Sequence, residues 1–392
     1  MKSIGTMSVG IKAPVIRSGD DLVSIVTESV IKAVRDNGLL LKDRDIVAVT
    51  EAIVGKSQKN FASVDHIAKD VRQKFKGGTV GVVFPILSRN RFSLLLKGIS
   101  MGCDKVVIQL SYPNDEVGNP ICKPEKLNEA NINPYSTSLD EKQFREIFKD
   151  VNHPFTGIDY ISAYKDIAGP NTEIIFSNNP TAILNYTKKV LAADIHTREN
   201  TKKALKKAGA EIVYGLDDIL SKSVDGSGFH PKYGLLGSNM STENVVKLFP
   251  KDAQRFVEDL QKAFYKKTGK KIECMVYGDG AFKDPAQKIW ELADPVVSPG
   301  FTKGLIGTPN EVKFKYIADN LASGKSQEEA QSIIINEIKN KEKNNKSKRV
   351  SLGTTPRNLT DLIGSLADLT SGSGDKGTPI VLIKNYFDSY AD

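Results

Sequence analysis

Cysteine is scarce in this chain of 392 residues, which has only Cys103, Cys122 and Cys274. This odd, widely spaced set contains no CxxC pair, so it argues against a disulfide framework and against a zinc knuckle. Histidine is also rare, and none of the four histidines has a second histidine or a cysteine at metal-ligand spacing. A histidine-based zinc site is therefore not expected.

Long hydrophobic runs are missing as well. No stretch approaches the roughly 18 apolar residues that a membrane span needs, and the first residues, MKSIGTMSVGIKAP, do not resemble a signal peptide. We therefore expect a cytoplasmic protein without a membrane partner. The net charge is +8 and the pI is near 9.0, which indicates a lysine-rich solvated surface that also attracts anions such as nucleotides.

Apolar runs alternate between helical and strand periodicity along the chain. Leu22 to Gly38 reads as a helix that Ser18 or Asp20 can cap, and IVAVT at 46–50 reads as a buried strand. Further strands are predicted at 79–85 and 105–113. The expected fold class is α/β or α+β, with mixed sheets and flanking helices.

The length suggests two or three structural units. We interpret 1–392 as one ligase-like unit with two subdomains, 1–112 joined by 351–392, and 151–350. The composition changes at 113–150, where Asn, Pro, Glu and Lys dominate. That segment is expected to be a surface insertion that ends in a polar helix.

The triplet Gly55-Lys56-Ser57 resembles the end of a phosphate-binding loop of the Walker A type. Such a loop requires G-x-x-x-x-G-K-[ST] after a strand, but the first glycine is replaced by Thr50. The intervening Ala52, Ile53 and Val54 resist the positive backbone torsions of a phosphate cradle and read as a continuation of the strand. The Walker A interpretation is rejected, and Lys56 and Ser57 stay open as an anion-binding pair or as ordinary exposed side chains.

Two aspartates occupy positions suited to metal binding. Asp159 lies in the turn HPFTGIDYIS, and Asp279 follows the apolar run ECMVY between two glycines. Carboxylates at strand ends can hold hard divalent cations and phosphate oxygens. Either aspartate could instead bond to its own backbone in a turn. The glycine-serine loop 370–377 could offer N–H groups to phosphates, or it could be a plain connector.

The basic tract 339–349 raises the possibility of a nucleic-acid binder. It has no interleaved aromatic residues to stack on bases. A solvated helix end explains the tract better, so nucleic acid is not an expected partner.

Taken in order, five motifs resemble the coenzyme F420-0:γ-glutamyl ligase family, of which this chain looks like a divergent and longer member. Each motif is weak alone, but their order along both halves of the chain makes the resemblance more specific. The motifs are APVIRSGDDLVSIV, DRDIVAVTEAIVGKSQKN, TGIDYIS, CMVYGDG and SGSGDKGTPIVLIKNY.

The resemblance implies a GTP-using ligase that forms an amide through an acyl phosphate, with Mg²⁺ or Mn²⁺ as the metal. Its implied partners are a nucleotide, a small carboxylate acceptor and an amino acid such as glutamate, and it implies a homodimer. The implied catalytic and metal residues are Asp159 and Asp279, with Gly280 where the family has a hydroxyl ligand. The implied nucleotide-binding residues are Pro14, Val15, Ile16, Arg17, Gly55, Lys56, Ser57, Ser162, Gly372, Ser373, Gly374 and Gly377.

The sequence departs from the family pattern around these positions. Gly55 replaces a serine, Gln58 replaces a glutamate, and Lys283 is the only cation where the family has an arginine-rich turn. An enzyme of the same fold with another acceptor or nucleotide, or a non-catalytic nucleotide-binding protein, therefore stay open as alternatives.

Overall fold

A computed structural model describes residues 3–88, 91–153, 157–278, 281–283, 290–292, 298–341, 357–372 and 375–392. Within these ranges a mixed five-stranded sheet combines strands from the two ends of the chain. The neighbours β2 and β12 are parallel and all other pairs in this sheet are antiparallel. In spatial order the strands are β1 (Met7–Ile11), β16 (Ile380–Lys384), β2 (Ile46–Thr50), β12 (Glu273–Tyr277) and β15 (Gly300–Phe301).

Helices cover both faces of the mixed sheet because its central strands are apolar on both sides. In β2, Val47 and Val49 pack in the cluster that includes helix residues of α1 (Leu22–Asp36) and α9 (Ala253–Thr268). The alternate residues, Ile46 and Ala48, pack with α12 (Leu359–Thr370). Side chains of successive strand residues point to opposite faces, so this continuous hydrophobic run serves two layers.

The start of α1 differs in detail from the prediction. Asp21 is the N-cap and its carboxylate accepts a hydrogen bond from the backbone N–H of Ser24 at 3.2 Å. Asp20, one of the two predicted caps, instead accepts from the backbone N–H of Arg17 at 2.6 Å. The helix gives way to Asn37 and to Gly38, whose φ of 62° suits glycine.

A second sheet has six described strands, of which five are parallel. Along the sheet the parallel strands appear in the chain order third, second, first, fourth, fifth, so the order reverses between β4 and β8, as in doubly wound folds. The spatial order is β6 (Leu139–Asp140), β7 (Thr172–Phe176), β5 (Lys105–Leu110), β4 (Thr79–Val83), β8 (Lys189–Ala192) and β9 (Ile212–Gly215). The main helices around it are α3 (Val64–Phe75), α4 (Phe92–Met101), α6 (Glu141–Phe148), α7 (Tyr160–Ala168) and α8 (Arg198–Lys207).

Shorter elements connect and extend the two sheets. A three-stranded sheet contains β3 (Phe61–Ser63), β10 (Asn239–Thr242) and β11 (Val245–Lys247), and a hairpin contains β13 (Ala281–Lys283) and β14 (Trp290–Leu292). The remaining helices are α2 (Glu51–Ser57), α5 (Glu125–Glu129), α10 (Phe314–Asn320) and α11 (Gln327–Lys339), with 3-10 turns at Pro180–Asn185 and Lys303–Leu305. None of the helices in the described ranges is long and apolar enough to cross a membrane.

Strand pairing groups the chain differently from the expected subdomains. The strands at 79–83 and 105–110 belong to the six-stranded sheet with 172–215, whereas 7–50 pairs with 273–384. The segment 113–150, expected as a surface insertion, adds β6 to the sheet and buries Phe144 and Phe148 in the main core. The Phe144 ring stacks on Phe176 with 3.7 Å between the centroids.

Candidate active site

The carboxyl ends of β2 and β12 meet at one edge of the mixed sheet, directly beside the start of β16. Thr50 is the register partner of Tyr277, and the backbone N–H of Thr50 donates to the carbonyl of Pro379 at 3.0 Å. Parallel strands bring their following loops to the same edge. The segments that follow β2 and β12 and the segment that precedes β16 therefore lie close together at this edge.

The chain after Thr50 corrects the sequence prediction. Ala52, Ile53 and Val54 do not continue the strand but lie in α2, which begins at Glu51 with no intervening loop. Thr50 has extended torsions and the next residue is already helical. A Walker A loop has no room between this strand and this helix, so the rejection of that motif stands on the backbone itself.

Several of the implied nucleotide-binding residues come together at this edge. The backbone N–H of Ala13, next to Pro14, donates to the carbonyl of Gly377 at 3.4 Å. The N–H of Gly19, two residues after Arg17, donates to the carbonyl of Ser57 at 3.0 Å. The segments carrying Pro14–Arg17, Gly55–Ser57 and Gly377 are thus joined by backbone hydrogen bonds.

The side chains in these segments differ in exposure. Val15 is 83% exposed, whereas Ile16 is 5% exposed and anchors the segment in the core of the mixed sheet. Lys56 is exposed, and the described part of the chain offers it no ion-pair partner. The Ser57 hydroxyl donates to the carbonyl of Val54 at 2.9 Å. Lys56 is therefore the side chain of the triplet that can meet an anion.

The late glycine loop is described only in part. Gly372 forms an isolated bridge with Thr378, which closes the loop at its base. Gly377 has a φ of 60°, a left-handed conformation that favours glycine. Ser373 and Gly374 lie outside the described residues.

Two buried hydroxyls at the same edge escaped the sequence analysis. The phenol of Tyr277 is 1% exposed and Thr378 is 9% exposed, and neither side-chain oxygen has a hydrogen-bond partner among the described residues. The Ser371 and Thr50 hydroxyls lie close enough to the phenol to lower its pKa, but neither makes a well-aligned hydrogen bond to it. Buried polar groups are almost always paired, so a bound ligand or an ordered water must complete the hydrogen bonding of these two hydroxyls.

The protonation of Tyr277 suits a hydrogen-bond donor. Burial raises the pKa of Tyr277 to about 12, more than the Ser371 and Thr50 hydroxyls lower it. The phenol therefore keeps its proton at neutral pH and can donate to an anionic oxygen. The available signal in the sequence is a tyrosine that ends the strand segment ECMVY, directly before a glycine.

Gly55 has a packing role. A side chain here would place its Cβ 2.9 Å from the carbonyl oxygen of Leu248, directly after β11. The same contact region contains a buried ion pair, in which the Lys247 Nζ lies 2.6 Å and 2.7 Å from the two Glu51 carboxylate oxygens. Both features hold α2 against β11, so the position of Lys56 depends on contacts with a strand that comes much later in the chain.

Asp159 and Ser162 lie in the other sheet's layer of helices. Asp159 is the N-cap of α7, and its Oδ1 accepts from the backbone N–H groups of Ile161 and Ser162. Its Oδ2 accepts from the Ser162 hydroxyl at 2.8 Å and from the Arg145 guanidinium at 2.9 Å. Burial alone would raise the pKa of Asp159, but Arg145 and Ser162 together lower it.

These contacts bear on the implied metal role of Asp159. Both carboxylate oxygens already accept two hydrogen bonds, and Arg145 compensates the negative charge. A divalent ion would have to displace the guanidinium, so Asp159 as described does not fit a metal ligand. Asp279 and Gly280 lie outside the described residues, and the described ones contain no group of three or more His, Cys, Asp or Glu arranged for a metal.

Comparison with known families identifies the family of the chain. The family model for F420-0:gamma-glutamyl ligase matches residues 10–385. The chain belongs to this family. No curated relative matches the sequence.

The family match spans both sheets. It runs from β1 to the residue after β16, so it contains the edge where the candidate nucleotide segments meet as well as the doubly wound sheet. The protein is therefore a ligase of the F420-0:γ-glutamyl ligase family, with mixed sheets and flanking helices as expected from its sequence.

Proposed function

We propose that this ligase uses GTP and a divalent metal ion, Mg²⁺ or Mn²⁺, to join a carboxylate acceptor to the amine of an amino acid. F420-0 and glutamate are the substrates that the family's name suggests. The observation that supports a nucleotide site most strongly is the convergence of three backbone segments and two unpaired buried hydroxyls at one sheet edge. A homodimer, which rests on the resemblance, and a cytoplasmic location, which rests on the composition of the sequence, belong to the same proposal.

The reaction divides into two balanced steps. A carboxylate oxygen of the acceptor attacks the terminal phosphorus of GTP, the bond to the bridging oxygen breaks, and GDP leaves. The neutral amine of the amino acid then attacks the acyl carbon and expels inorganic phosphate, and the amine loses a proton. A divalent ion would neutralise charge on the transferring phosphoryl group.

The residues of this chain supply binding and orientation. Lys56 can place a positive charge near the phosphates. Tyr277 and Thr378 can each donate one hydrogen bond to a phosphate oxygen, because neither hydroxyl has a well-aligned partner among the described residues. Asp279 is the carboxylate proposed to meet the metal, since the Asp159 carboxylate is engaged by Arg145.

Phosphate release is the decisive assay. With GTP and Mg²⁺ or Mn²⁺, we expect release only when F420-0 and glutamate are both present. Release from GTP alone would indicate a nucleotidase. Metal-linked nucleotide binding by calorimetry without turnover of any acceptor would support the non-catalytic alternative. The absence of any nucleotide binding would contradict the proposal. A parallel titration with ATP identifies the preferred nucleotide, and a titration of Asp279→Asn tests whether Asp279 is the metal carboxylate.

Tyr277→Phe tests the unpaired phenol. Removing one hydrogen bond to a charged group is expected to raise the KM for GTP about tenfold, on the basis of roughly 1.5 kcal/mol for such a bond. The matched control is Tyr386→Phe, a partly buried tyrosine that packs with Phe387 behind the mixed sheet. An unchanged KM in Tyr277→Phe would show that the phenol does not contact the nucleotide.

A further inference from the structure

Two adjoining cavities flank helix α1 and form one long groove. The larger, of about 840 Å³, lies between α1 and the stretch Val9–Pro14, and the smaller, of about 420 Å³, reaches Lys267 on α9. Both are lined by Pro14, Ser29 and Lys32. We call this feature, lined by these residues together with Val9, Lys12 and Lys267, the α1 groove. Its size is typical of a site for a small molecule.

The α1 groove begins where the candidate nucleotide segments end. Pro14 lines it, but Arg17, Lys56 and Gly377 do not. After Pro14 the chain turns away to contact the end of α2 through the Gly19–Ser57 hydrogen bond. Pro14 is therefore the boundary between the groove and the sheet edge at which the nucleotide is proposed to bind.

The groove and the nucleotide edge are nevertheless adjacent. The backbone N–H of Ala13, which lines the groove, donates to the carbonyl of Gly377 in the late glycine loop. A molecule bound along the groove could thus present one end to a phosphate held at that loop, as acyl-phosphate formation requires.

The charges of the groove favour an anionic occupant. Four cations and two carboxylates line it, and two of the cations are in ion pairs, Lys267 with Glu28 at 3.1 Å and Arg35 with Asp36 at 3.4 Å. Lys12 and Lys32 have no ion-pair partner among the described residues. The floor is apolar, with Val9, Ile11, Leu39 and Leu382 among its lining residues.

We propose that the α1 groove binds the acid substrate of the ligase, an elongated molecule with an apolar body and a negative charge. Its reacting carboxylate lies at the Pro14 end, and Lys12 and Lys32 attract its negative charge. This inference rests on the proposed ligase function. Since β1 is the last described strand at its edge of the sheet, a second copy of the chain is the competing occupant, and the test below separates the two.

Charge reversal at Lys32 is the main test. In Lys32→Glu the KM for F420-0 should rise about tenfold or more, because like charges now face each other, while the KM for GTP stays within about twofold. The KM for F420-0 of the wild type should also rise with ionic strength, since exposed charges are screened by salt. Lys12→Glu should reproduce the result from the opposite wall of the groove.

The matched control is Lys203→Glu, which makes the same charge change on an exposed position of α8, in the other sheet's layer. It should leave both KM values unchanged. Thermal unfolding of each variant verifies that the fold is retained.

Three results would overturn the proposal. An unchanged KM for F420-0 in both groove variants would exclude the groove as the acid site. A raised KM for GTP instead would assign the groove to the nucleotide. A change in sedimentation from dimer to monomer, with unaltered kinetics, would assign it to a second copy. Failure of the proposed function is distinct, because then the wild type itself shows no acceptor-dependent phosphate release.

Discussion

The two large sheets of this ligase differ in how far apart along the chain their paired strands lie. In the six-stranded sheet, consecutive strands such as β4 and β5 lie side by side and are connected by one helix. In the mixed sheet, the first described strand, β1, pairs with the last, β16, and β2 pairs with β12 across the whole intervening sheet. Local pairing can be read from a short window of sequence, whereas the mixed sheet requires contacts between the chain's distant ends.

The sheets also differ in how they bury charge. The mixed sheet contains the pair Lys384–Asp45 at 2.8 Å, with side chains 6% and 2% exposed. Near the six-stranded sheet, Lys74 pairs with Asp70 across one helical turn, but Lys74 remains 21% exposed. The mixed sheet thus contains an ion pair that is shielded from water, and the ion pair near the six-stranded sheet is one that water can still reach.

The largest expected effect separates these two pairs. Lys384→Met should lower the free energy of unfolding by about 3–5 kcal/mol, because it leaves Asp45 buried without its cation. The matched change Lys74→Met should lower it by only about 1 kcal/mol, since water partly screens that pair. Denaturant unfolding measures both, and equal losses would contradict the contrast between the sheets.

We expect the free energy of unfolding to depend on pH through His230, which lies between β9 and β10. Burial is the main cause that lowers the pKa of His230 to about 4, with a smaller contribution from Lys232. Since the folded pKa is below the unfolded value of about 6.5, the stability it contributes is present above pH 6.5 and is lost as the pH falls through about 4. The loss is up to about 3 kcal/mol.

The control for this effect is His230→Asn. The His230 Nδ1 accepts from the backbone N–H groups of Lys232 and Tyr233, and an asparagine side-chain oxygen can accept the same bonds without titrating. Unfolding midpoints measured from pH 7 to pH 4 should therefore fall less steeply in the variant. Parallel curves for the two proteins would show that His230 is not responsible.

The smallest expected effect concerns the contact between α2 and β11. Gly55→Ser restores the family's serine, but its Cβ would lie 2.9 Å from the Leu248 carbonyl oxygen. We expect a loss of about 1–3 kcal/mol from overpacking. Gly5→Ser, with no atom within 4 Å of the added Cβ, should change stability by under about 0.5 kcal/mol. Unaltered unfolding of Gly55→Ser would mean that β11 can move away from α2.

Much of the local structure was predictable, and the failures have a physical cause. The strands at 46–50 and 105–110 and the helix from Leu22 were recognised because their hydrophobic periodicity is complete within one element. Within the α2 segment, the apolar and β-branched or small residues Ala52, Ile53 and Val54 favour a strand. Burial against the mixed sheet and β11 outweighs that weak local preference.

A second error has the same origin. The periodicity of 242–269 predicts one helix broken near Pro250, but Val245–Lys247 forms β11 and the helix starts at Ala253. β11 pairs on one side with β10, directly before it in the chain, and on the other with β3, about 180 residues earlier. Side-chain propensity within the segment carries no information about that partner.

By itself, the sequence determined the alternation of strands and helices, the ligase family and most of the candidate nucleotide segments. These depend on periodicity and on motifs confined to a few residues. Only the tertiary structure decided which segments meet, that Asp159 is held by Arg145, and that the Tyr277 and Thr378 hydroxyls are buried without well-aligned partners in the described part of the chain. Burial and hydrogen-bond satisfaction depend on atoms from distant parts of the chain, which become neighbours only when the two sheets form.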